Sequence, residues 1–353
     1  MYTKRYTTRE HLLDVYDKHA RQMKLEATSI QEFNKWKVSV QETLREISGI
    51  NMMESCDLSP EFLSEEVYDD HIKRKMLIQT TPKVWMPFYI LIPKDMEEGE
   101  KRPVVLAPHG HGCGGKEGIA GNCNIPIIQK GIEKYDSEYG LTMVREGYIV
   151  FCPDARGTGE RAEDVSIKNN EEDYMACSCN DLSFAAISLG QSLIGMMTWD
   201  LMRLVDYIET LDFCDASKIA CVGLSGGGLQ TLWLSALDER ITASFVSGYF
   251  YTIKSALLHT HKCGCNFTPG LWKYVDIGDI AALIAPRPLI IETGDKDGLS
   301  GTMGTDGVIQ QVDITRQAYA LFNQEDQIEH HIFDGGHVFH GEKLINFLEE
   351  WKA

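Results

Sequence analysis

A serine flanked by glycines is the clearest chemical feature of this sequence. Gly223-Leu224-Ser225-Gly226-Gly227 matches the pattern G-x-S-x-G. The bare pattern is weak evidence, but an apolar strand-like run precedes it and helical sequence follows it. A serine on such a strand-to-helix turn is held in a strained backbone conformation with its hydroxyl above the sheet. Ser225 is therefore a candidate nucleophile, and the alternative is a glycine-rich turn with an incidental serine.

A serine hydroxyl needs a general base, and the base needs an orienting acid. In serine hydrolases with this type of turn, the acid and then the histidine follow the serine along the chain. Asp295 and Asp297 follow one later predicted strand, and His337 follows the next. We predict a triad of Ser225, Asp297 and His337, because Asp295 lies closer to the strand end and is better placed to cap the turn.

Other histidines near the C-terminus are alternatives for the base. His330 and His331 lie inside a predicted strand, which favours a structural or surface role. His340 begins the last predicted helix and is the second choice after His337.

Acyl transfer also needs N–H donors for the oxyanion of the tetrahedral intermediate. The first predicted donor is the backbone N–H of Gly226, directly after the serine. The second belongs to the loop His109-Gly110-His111-Gly112, which follows another predicted strand. Within this loop we favour His111 over Gly112, and the alternative is that the loop is only a turn.

Short apolar strands alternate with longer amphipathic segments from about residue 67. This alternation predicts an α/β fold with a mostly parallel sheet covered by helices on both faces, and the ligand site at the carboxyl ends of the strands. The predicted strands are 71–80, 84–93, 103–108, 148–153, 218–223, 243–247, 288–293 and 329–333, and the helices 139–146, 192–211, 227–237, 308–322 and one from 340.

The first 50 residues are predicted to form two helices. Capping boxes at 7–10 and 29–32 would begin them, and Gly49 would end the second. After the second box, apolar residues recur at helical spacing, namely Phe33, Trp36, Val40, Leu44 and Ile47. The apolar face favours a packing arm on the main domain, with homo-oligomer formation through these helices as the alternative.

These patterns predict two parts of the chain, a helical extension, 1–66, and an α/β-hydrolase-type catalytic domain, 67–353. Within the domain, residues 249–279 form an irregular insertion resembling a lid. Its aromatic residues predict a pocket lining above Ser225, and we expect Tyr249 and Trp272 to contact substrate.

Composition excludes several partners. The chain has 353 residues and a formal net charge of −18, without a basic stripe, so nucleic acid and anionic membranes are not expected to bind. The N-terminus shows no apolar signal-peptide core, and ten cysteines are too few for a disulfide scaffold. We expect a cytoplasmic protein acting on a small-molecule ester.

Potential metal ligands alternate in the stretch His259, His261, Cys263 and Cys265, and Cys177 and Cys179 could supply more. Zinc sites usually space paired cysteines by two to four residues, whereas these pairs are separated by one. We therefore expect no metal and no other cofactor.

The motifs together resemble a known group. The sequences 109–112, 153–159 (Pro-Asp-Ala-Arg-Gly-Thr-Gly), 223–227, 285–288 (Ala-Pro-Arg-Pro) and 336–337 are similar to those of the dienelactone hydrolase and acetyl xylan esterase branch of the α/β hydrolases. The resemblance covers about residues 102–353. It implies the α/β-hydrolase fold, the triad named above, and a scaffold role for Arg156 and Arg287. Ser225 replaces the cysteine of dienelactone hydrolases, and Gly226 replaces a glutamine of cephalosporin C deacetylases, so substrates do not transfer.

These observations predict a serine carboxyl-ester hydrolase that forms an acyl-enzyme on small acetyl or short-chain esters, an acetylated sugar among them. Two alternatives remain. One is a prolyl oligopeptidase-type serine peptidase, which the lack of a repeat-built propeller disfavours. The other is a non-catalytic binding protein of the same fold, holding metal at the stretch from His259 to Cys265.

Overall fold

The computed structural model describes residues 6–260 and 262–353. These residues build a nine-stranded sheet in the order β1-β2-β3-β5-β4-β6-β7-β8-β9. The strands are β1 Glu61–Val67, β2 His71–Thr81, β3 Val84–Pro93, β4 Arg102–Leu106, β5 Ile149–Pro153, β6 Cys214–Leu224, β7 Ile241–Ser247, β8 Leu289–Gly294 and β9 Ile328–Phe333.

The sheet is mixed, with antiparallel strands on one side and parallel strands on the other. β1, β2 and β3 form antiparallel pairs, and β3 also runs antiparallel to β5. From β5 to β9 every neighbouring pair is parallel. β5 lies on one side of β4 and β6 on the other, so the strand order reverses there. Loops after β4 and β6 therefore meet at a switch point, where ligands bind in sheets of this kind.

Helices cover both faces of the sheet, as predicted. The helices are α1 Arg9–His19, α2 Ile30–Ser48, α3 Lys116–Ile119, α4 Pro126–Tyr135, α5 Tyr139–Arg145, α6 Cys179–Ser188, α7 Leu193–Ile208, α8 Gly226–Leu237, α9 Ile253–Ala256, α10 Leu271–Tyr274, α11 Ile277–Ala282, α12 Gly304–Leu321 and α13 Leu344–Lys352. One core packs α2, α7, α8, α11 and α12 against the sheet, and a second core packs α3, α5 and α13 on the opposite face.

The inner strands of the parallel half, β4 to β8, are mostly buried on both faces, whereas the edge strand β9 is partly exposed. Val104 and Leu106 of β4 face the first core, whereas Val105 between them faces the second. Successive side chains of a strand point to opposite faces, so this arrangement requires an apolar residue at each position. The continuous apolar runs in the sequence reflect this double burial.

The N-terminal helices form an arm that packs on the domain. In α2, the side chains of Phe33, Val40 and Leu44 are fully buried, and the Phe33 ring meets Phe322 edge-on at 5.3 Å between centroids. Gly49 ends α2 with φ +77°, as predicted. The packing-arm interpretation is therefore confirmed for the described residues.

Two details of the predicted arm need correction. Ser29 accepts the N–H of Glu32, but Thr8 makes no side-chain cap at the start of α1. The proposed extension, 1–66, also includes most of β1, which pairs with β2 as part of the sheet. The helical arm itself ends near Met52, where a short 3₁₀ turn closes it.

The insertion is tied to the arm by backbone hydrogen bonds. The N–H groups of residues 21, 22 and 23 donate to the carbonyls of residues 272, 273 and 274 at 2.8 to 3.1 Å. Arg21 also pairs with the buried carboxylate of Asp279, at 2.8 Å from Nε to Oδ2. One edge of the insertion is therefore fixed to the rest of the fold.

Within the described ranges, no single helix is long and apolar enough to cross a membrane. The consecutive helices α6 and α7 reach that length and composition only when taken together, and they are bent by 99° relative to each other.

Candidate active site

Ser225 lies at a sharp turn between β6 and α8. It adopts φ +58° and ψ −115°, a left-handed conformation that costs free energy for a residue with a side chain. The Ser225 N–H donates to the carbonyl of Ser247 at the end of β7, at 2.9 Å. Gly227, the second residue of α8, lies so close to the segment after β4 that a Cβ there would collide with the Pro108 carbonyl. This is the strained turn predicted from the sequence.

Asp297 and His337 form a paired acid and base. Oδ2 of Asp297 lies 2.7 Å from Nδ1 of His337, and Oδ1 accepts the N–H of Leu299 at 2.7 Å. The carboxylate is almost fully buried. Asp295 instead accepts the N–H of Gly335 at 3.0 Å and so stabilises the turn, as predicted. The geometry therefore favours Asp297 over Asp295.

The imidazole of His337 lies at the same end of the sheet as Ser225. A Cβ placed on Gly248, directly after β7, would lie 3.0 Å from Cε1 of His337 and 3.1 Å from Cδ1 of Leu224. Gly248 is thus in contact range of both the base and the residue before the serine. The fold brings the three predicted residues to one edge, from the ends of β6, β8 and β9.

The alternative bases have other partners. His330 hydrogen-bonds to Oγ1 of Thr293, and burial lowers its pKa to about 4. His340 stacks on Phe333 and contacts the exposed carboxylate of Glu342. Neither ring is paired with a buried aspartate as His337 is.

The predicted oxyanion loop packs directly against the serine turn. A Cβ on Gly110 would lie 2.7 Å from the Leu224 carbonyl oxygen and 3.2 Å from Cβ of Ser225. Nδ1 of His111 would lie 2.9 Å from a Cβ on Gly226. The two segments predicted to supply N–H donors are therefore neighbours, and Gly112 is the more exposed loop position.

The buried side chain of His109 holds this loop in place by two hydrogen bonds. Its Nε2 accepts the N–H of Ala155 at 3.0 Å, so Nδ1 carries the proton and donates to the Gly110 carbonyl at 2.9 Å. Burial lowers the pKa of His109, which keeps the ring neutral and this tautomer in place.

Glu292 of β8 is a buried carboxylate that the sequence analysis missed. Its Oε1 accepts the Ser247 hydroxyl at 2.8 Å and the N–H of His340 at 3.0 Å, and its Oε2 accepts the N–H of Gly341 at 2.8 Å. Burial raises its pKa. Glu292 thereby links the loop that carries His337 to the strand end that holds Ser225. A lone glutamate in an apolar strand was the available signal.

The two predicted substrate contacts lie in different surroundings. Tyr249 is buried close to the start of α8, and its hydroxyl accepts the hydroxyl of Tyr251 at 2.8 Å. Trp272 packs on Tyr16 of the arm, with ring centroids 5.8 Å apart. Trp272 therefore belongs to the joint between insertion and arm, and we leave it out of the proposed substrate site.

Both arginines assigned to the scaffold have that role. Arg156, after β5, makes a bidentate pair with buried Asp200 at 2.7 and 2.8 Å. Arg287 donates to backbone carbonyls at the end of α8 and the start of β7, those of Ser235, Asp238 and Ile241. These contacts confirm the sequence-based assignment.

A cavity of about 510 Å³ lies beyond the oxyanion loop. Buried Lys116 and Tyr89 line it, and Lys116 is paired with the carboxylates of Asp154 and Glu160. Ser225, Asp297 and His337 are not among its lining residues.

Thiols gather around the side chain of His111. Nε2 of His111 lies 3.4 Å from Sγ of Cys179 and 3.7 Å from Sγ of Cys265. Cys263 completes a group whose ligand atoms all lie within 4.8 Å of one another. His261 of the predicted stretch lies outside the described residues, and His259 is not a member of this group. Residues that could hold a metal thus exist beside the serine turn, and His111 was not anticipated among them.

The model of the Abhydrolase family matches residues 10–337. The chain belongs to this family of α/β hydrolases. The fold and the hydrolase resemblance inferred from the motifs are therefore confirmed, and the match extends across the N-terminal arm.

Individual relatives are distant. YtaP of Bacillus subtilis (strain 168), named as a hydrolase, is 25% identical over 259 residues, which are 72% of this chain and 80% of YtaP. A structure from Bacteroides fragilis NCTC 9343, described as an acetyl xylan esterase, has a TM-score of 0.75 at 21% identity and covers 94% of this chain and 84% of that one. A glucuronoyl esterase from Solibacter usitatus has a TM-score of 0.63 at 15% identity, covering 100% and 99%. At these identities the structures show a shared fold.

Proposed function

We propose that this α/β hydrolase is a serine carboxyl-ester hydrolase with Ser225 as nucleophile, His337 as base and Asp297 as the orienting acid. The observation that carries the proposal is the left-handed conformation of Ser225 at the end of β6, where it packs against the loop that is predicted to supply the second oxyanion donor. A strained serine at this position is typical of a nucleophile. The paired Asp297 and His337 at the same edge support it.

In this mechanism Nε2 of His337 takes the proton from Ser225 as Oγ attacks the ester carbonyl. Asp297 already holds Nδ1–H and stabilises the imidazolium that forms. The N–H groups of Gly226 and His111 donate to the oxyanion, and the N-terminus of α8 adds a favourable partial charge. His337 then protonates the leaving alcohol, and water releases the acyl group by the same route.

We further propose acetyl or short-chain esters as substrates, including acetylated sugars. Support comes from the relatives named as acetyl xylan and glucuronoyl esterases, which place ester chemistry on this fold. The buried Tyr249 beside α8 is the residue we retain as a wall of the acyl site.

The test is hydrolysis of p-nitrophenyl acetate, butyrate and octanoate by wild type and by Ser225→Ala. Loss of the nucleophile should lower kcat by at least about 10⁴-fold, because the remaining donors and binding alone give only residual catalysis. Acetate should be the fastest of the three esters.

Ser39→Ala on the exposed face of α2 is the matched control and should keep full activity. Circular dichroism establishes that each variant is folded. Equal activity of Ser225→Ala and wild type would refute the nucleophile. Cleavage of a p-nitroanilide peptide, with no ester hydrolysis, would instead favour a peptidase.

A further inference from the structure

Three separate segments place potential metal ligands at one point of the fold. His111 belongs to the loop after β4, Cys179 begins α6, and Cys263 and Cys265 lie in the insertion between β7 and β8. Cys179 and Cys265 are buried, whereas Cys263 and His111 are half-buried. The group is therefore assembled by tertiary packing from residues up to about 150 positions apart.

The distances match a tetrahedral metal centre. With Zn–S near 2.3 Å and Zn–N near 2.0–2.1 Å, a tetrahedral site puts nitrogen and sulfur about 3.6 Å apart. The two distances from Nε2 of His111 to the sulfurs of Cys179 and Cys265, 3.4 and 3.7 Å, lie on either side of that value. We propose that Nε2 of His111 and the thiolates of Cys179, Cys263 and Cys265 bind one Zn²⁺ ion.

The local backbone explains how cysteines separated by one residue can share an ion. Cys263 is extended, but the next three residues, Gly264–Asn266, turn as a 3₁₀ helix. In a fully extended chain, thiols two residues apart could not both reach the positions that a tetrahedral ion requires. The turn after Cys263 lets both thiols approach His111. Gly264 also packs on α6, where its N–H donates to Oδ1 of Asn180 at 2.8 Å. This turn is why a separation of one residue does not exclude a shared ion here.

Groups around the sulfurs fit a metal centre. Nδ2 of Asn266 lies 3.6 Å from Sγ of Cys265, as an outer hydrogen-bond donor to a ligating sulfur would. Cys177, two residues before Cys179, also interacts with the His111 imidazole but is exposed and outside the closely spaced group. We assign the four closely spaced residues as the ligands and leave Cys177 unligated.

With four protein ligands the ion has no open position, so its role is structural rather than catalytic. It would join the loop after β4, α6 and the insertion. The side chain of His111 points to the thiols while its backbone N–H belongs to the proposed oxyanion hole. The metal assignment itself does not depend on esterase activity, because it concerns a different set of atoms.

The experiment starts with elemental analysis of protein purified without chelators, which should contain one zinc per chain. Cys265→Ser and Cys263→Ser should each lose most of the zinc, whereas Cys123→Ser, an exposed thiol outside the group, should keep it. Replacing zinc by Co²⁺ should give intense tetrahedral d–d bands and a thiolate-to-cobalt charge-transfer band. The cobalt spectrum of the wild type keeps the test decisive if a cysteine variant fails to fold.

Several results would overturn the assignment. One is wild-type protein without stoichiometric zinc that also gives no thiolate band with Co²⁺. A second is retention of zinc by both Cys263→Ser and Cys265→Ser. A third is retention by His111→Gln together with loss in Cys177→Ser, which would replace the imidazole by a fourth thiolate. Loss in His111→Gln with retention in Cys177→Ser supports the proposed ligand set.

Discussion

The substitution Glu292→Gln tests whether the buried carboxylate positions the loop that carries His337. Both carboxylate oxygens accept hydrogen bonds, one from Ser247 and His340 and the other from Gly341. Glutamine has the same shape but one oxygen and one NH₂ group. In either orientation of the amide, its NH₂ group would face a backbone N–H, that of His340 or that of Gly341.

The expected loss of stability follows from these bonds. A hydrogen bond to a charged acceptor contributes about 1.5–3 kcal/mol, and a neutral one about 1 kcal/mol. The variant loses one such bond and weakens the others, but it no longer buries a charge, and this partly offsets the loss. The free energy of unfolding should therefore fall by about 2–3 kcal/mol. An unfolding entropy of about 2.1 cal/mol/K per residue gives about 0.7 kcal/mol/K for this chain. Tm should therefore fall by about 3–4 °C.

The activity should fall by more than the change in stability suggests. Movement of the loop shifts His337 relative to Ser225, and a displacement of about 1 Å at a reacting group costs on the order of 100-fold in rate. We expect kcat for p-nitrophenyl acetate to fall about 10- to 100-fold with KM nearly unchanged, because the acyl site is not altered.

Glu342→Gln is the matched control. It also removes one carboxylate charge, in this case from the loop that Glu292 holds, but Glu342 is exposed and its carboxylate pairs with the side chains of His331 and His340. Both Tm and kcat should stay close to wild type. If Glu292→Gln behaves like Glu342→Gln in calorimetry and in the ester assay, the positioning role of Glu292 is refuted.

Two further predictions concern close packing and a buried charge. Gly110→Ala should lower kcat at least about 100-fold, because the new Cβ would lie 2.7 Å from the Leu224 carbonyl oxygen. The control Gly298→Ala should stay active in the same ester assay, because a Cβ at that position would have open space within 4 Å. Asp276→Asn should raise stability at pH 7. Burial, with a further contribution from the charge of Asp279, raises the pKa of Asp276 from 3.8 to about 6, so the folded state loses stability as pH rises from about 4 to 6. At pH 7 the free energy of unfolding should rise by at most about 3 kcal/mol, which corresponds to about 4 °C in Tm, and near pH 4 the increase should vanish. Calorimetry at the two pH values measures this, and an equal increase at both would contradict the reasoning.

The sequence predicted β2 to β9, but not β1, and placed the residues of the proposed triad at strand ends, because both depend on local signals. Apolar runs mark β4 to β8, and the residues after β6, β8 and β9 lie at one edge in any parallel sheet. Ser225 and Asp297 follow such runs, and His337 follows β9. Their placement at one edge of the sheet required only the topology.

Features that depend on distant contacts were missed. Glu292 takes its role from partners 45 to 49 residues away, so its neighbours in sequence reveal only a charge in an apolar strand. The link between His111 and the thiols needs three segments to be folded first. Trp272 was predicted to contact substrate because its insertion is rich in aromatic residues. Only the folded structure shows that its ring packs on Tyr16 of the arm.

The N-terminal arm has a consequence for what the folding unit of this hydrolase is. A chain that began at β1 would retain the whole sheet and every member of the proposed triad. It would nevertheless expose Phe322, leave the carboxylate of Asp279 without Arg21, and free one edge of the insertion. All three residues of the proposed triad lie after β1, whereas contacts that stabilise the fold involve the N-terminal arm. The stable folding unit therefore begins before the segment that carries the proposed triad.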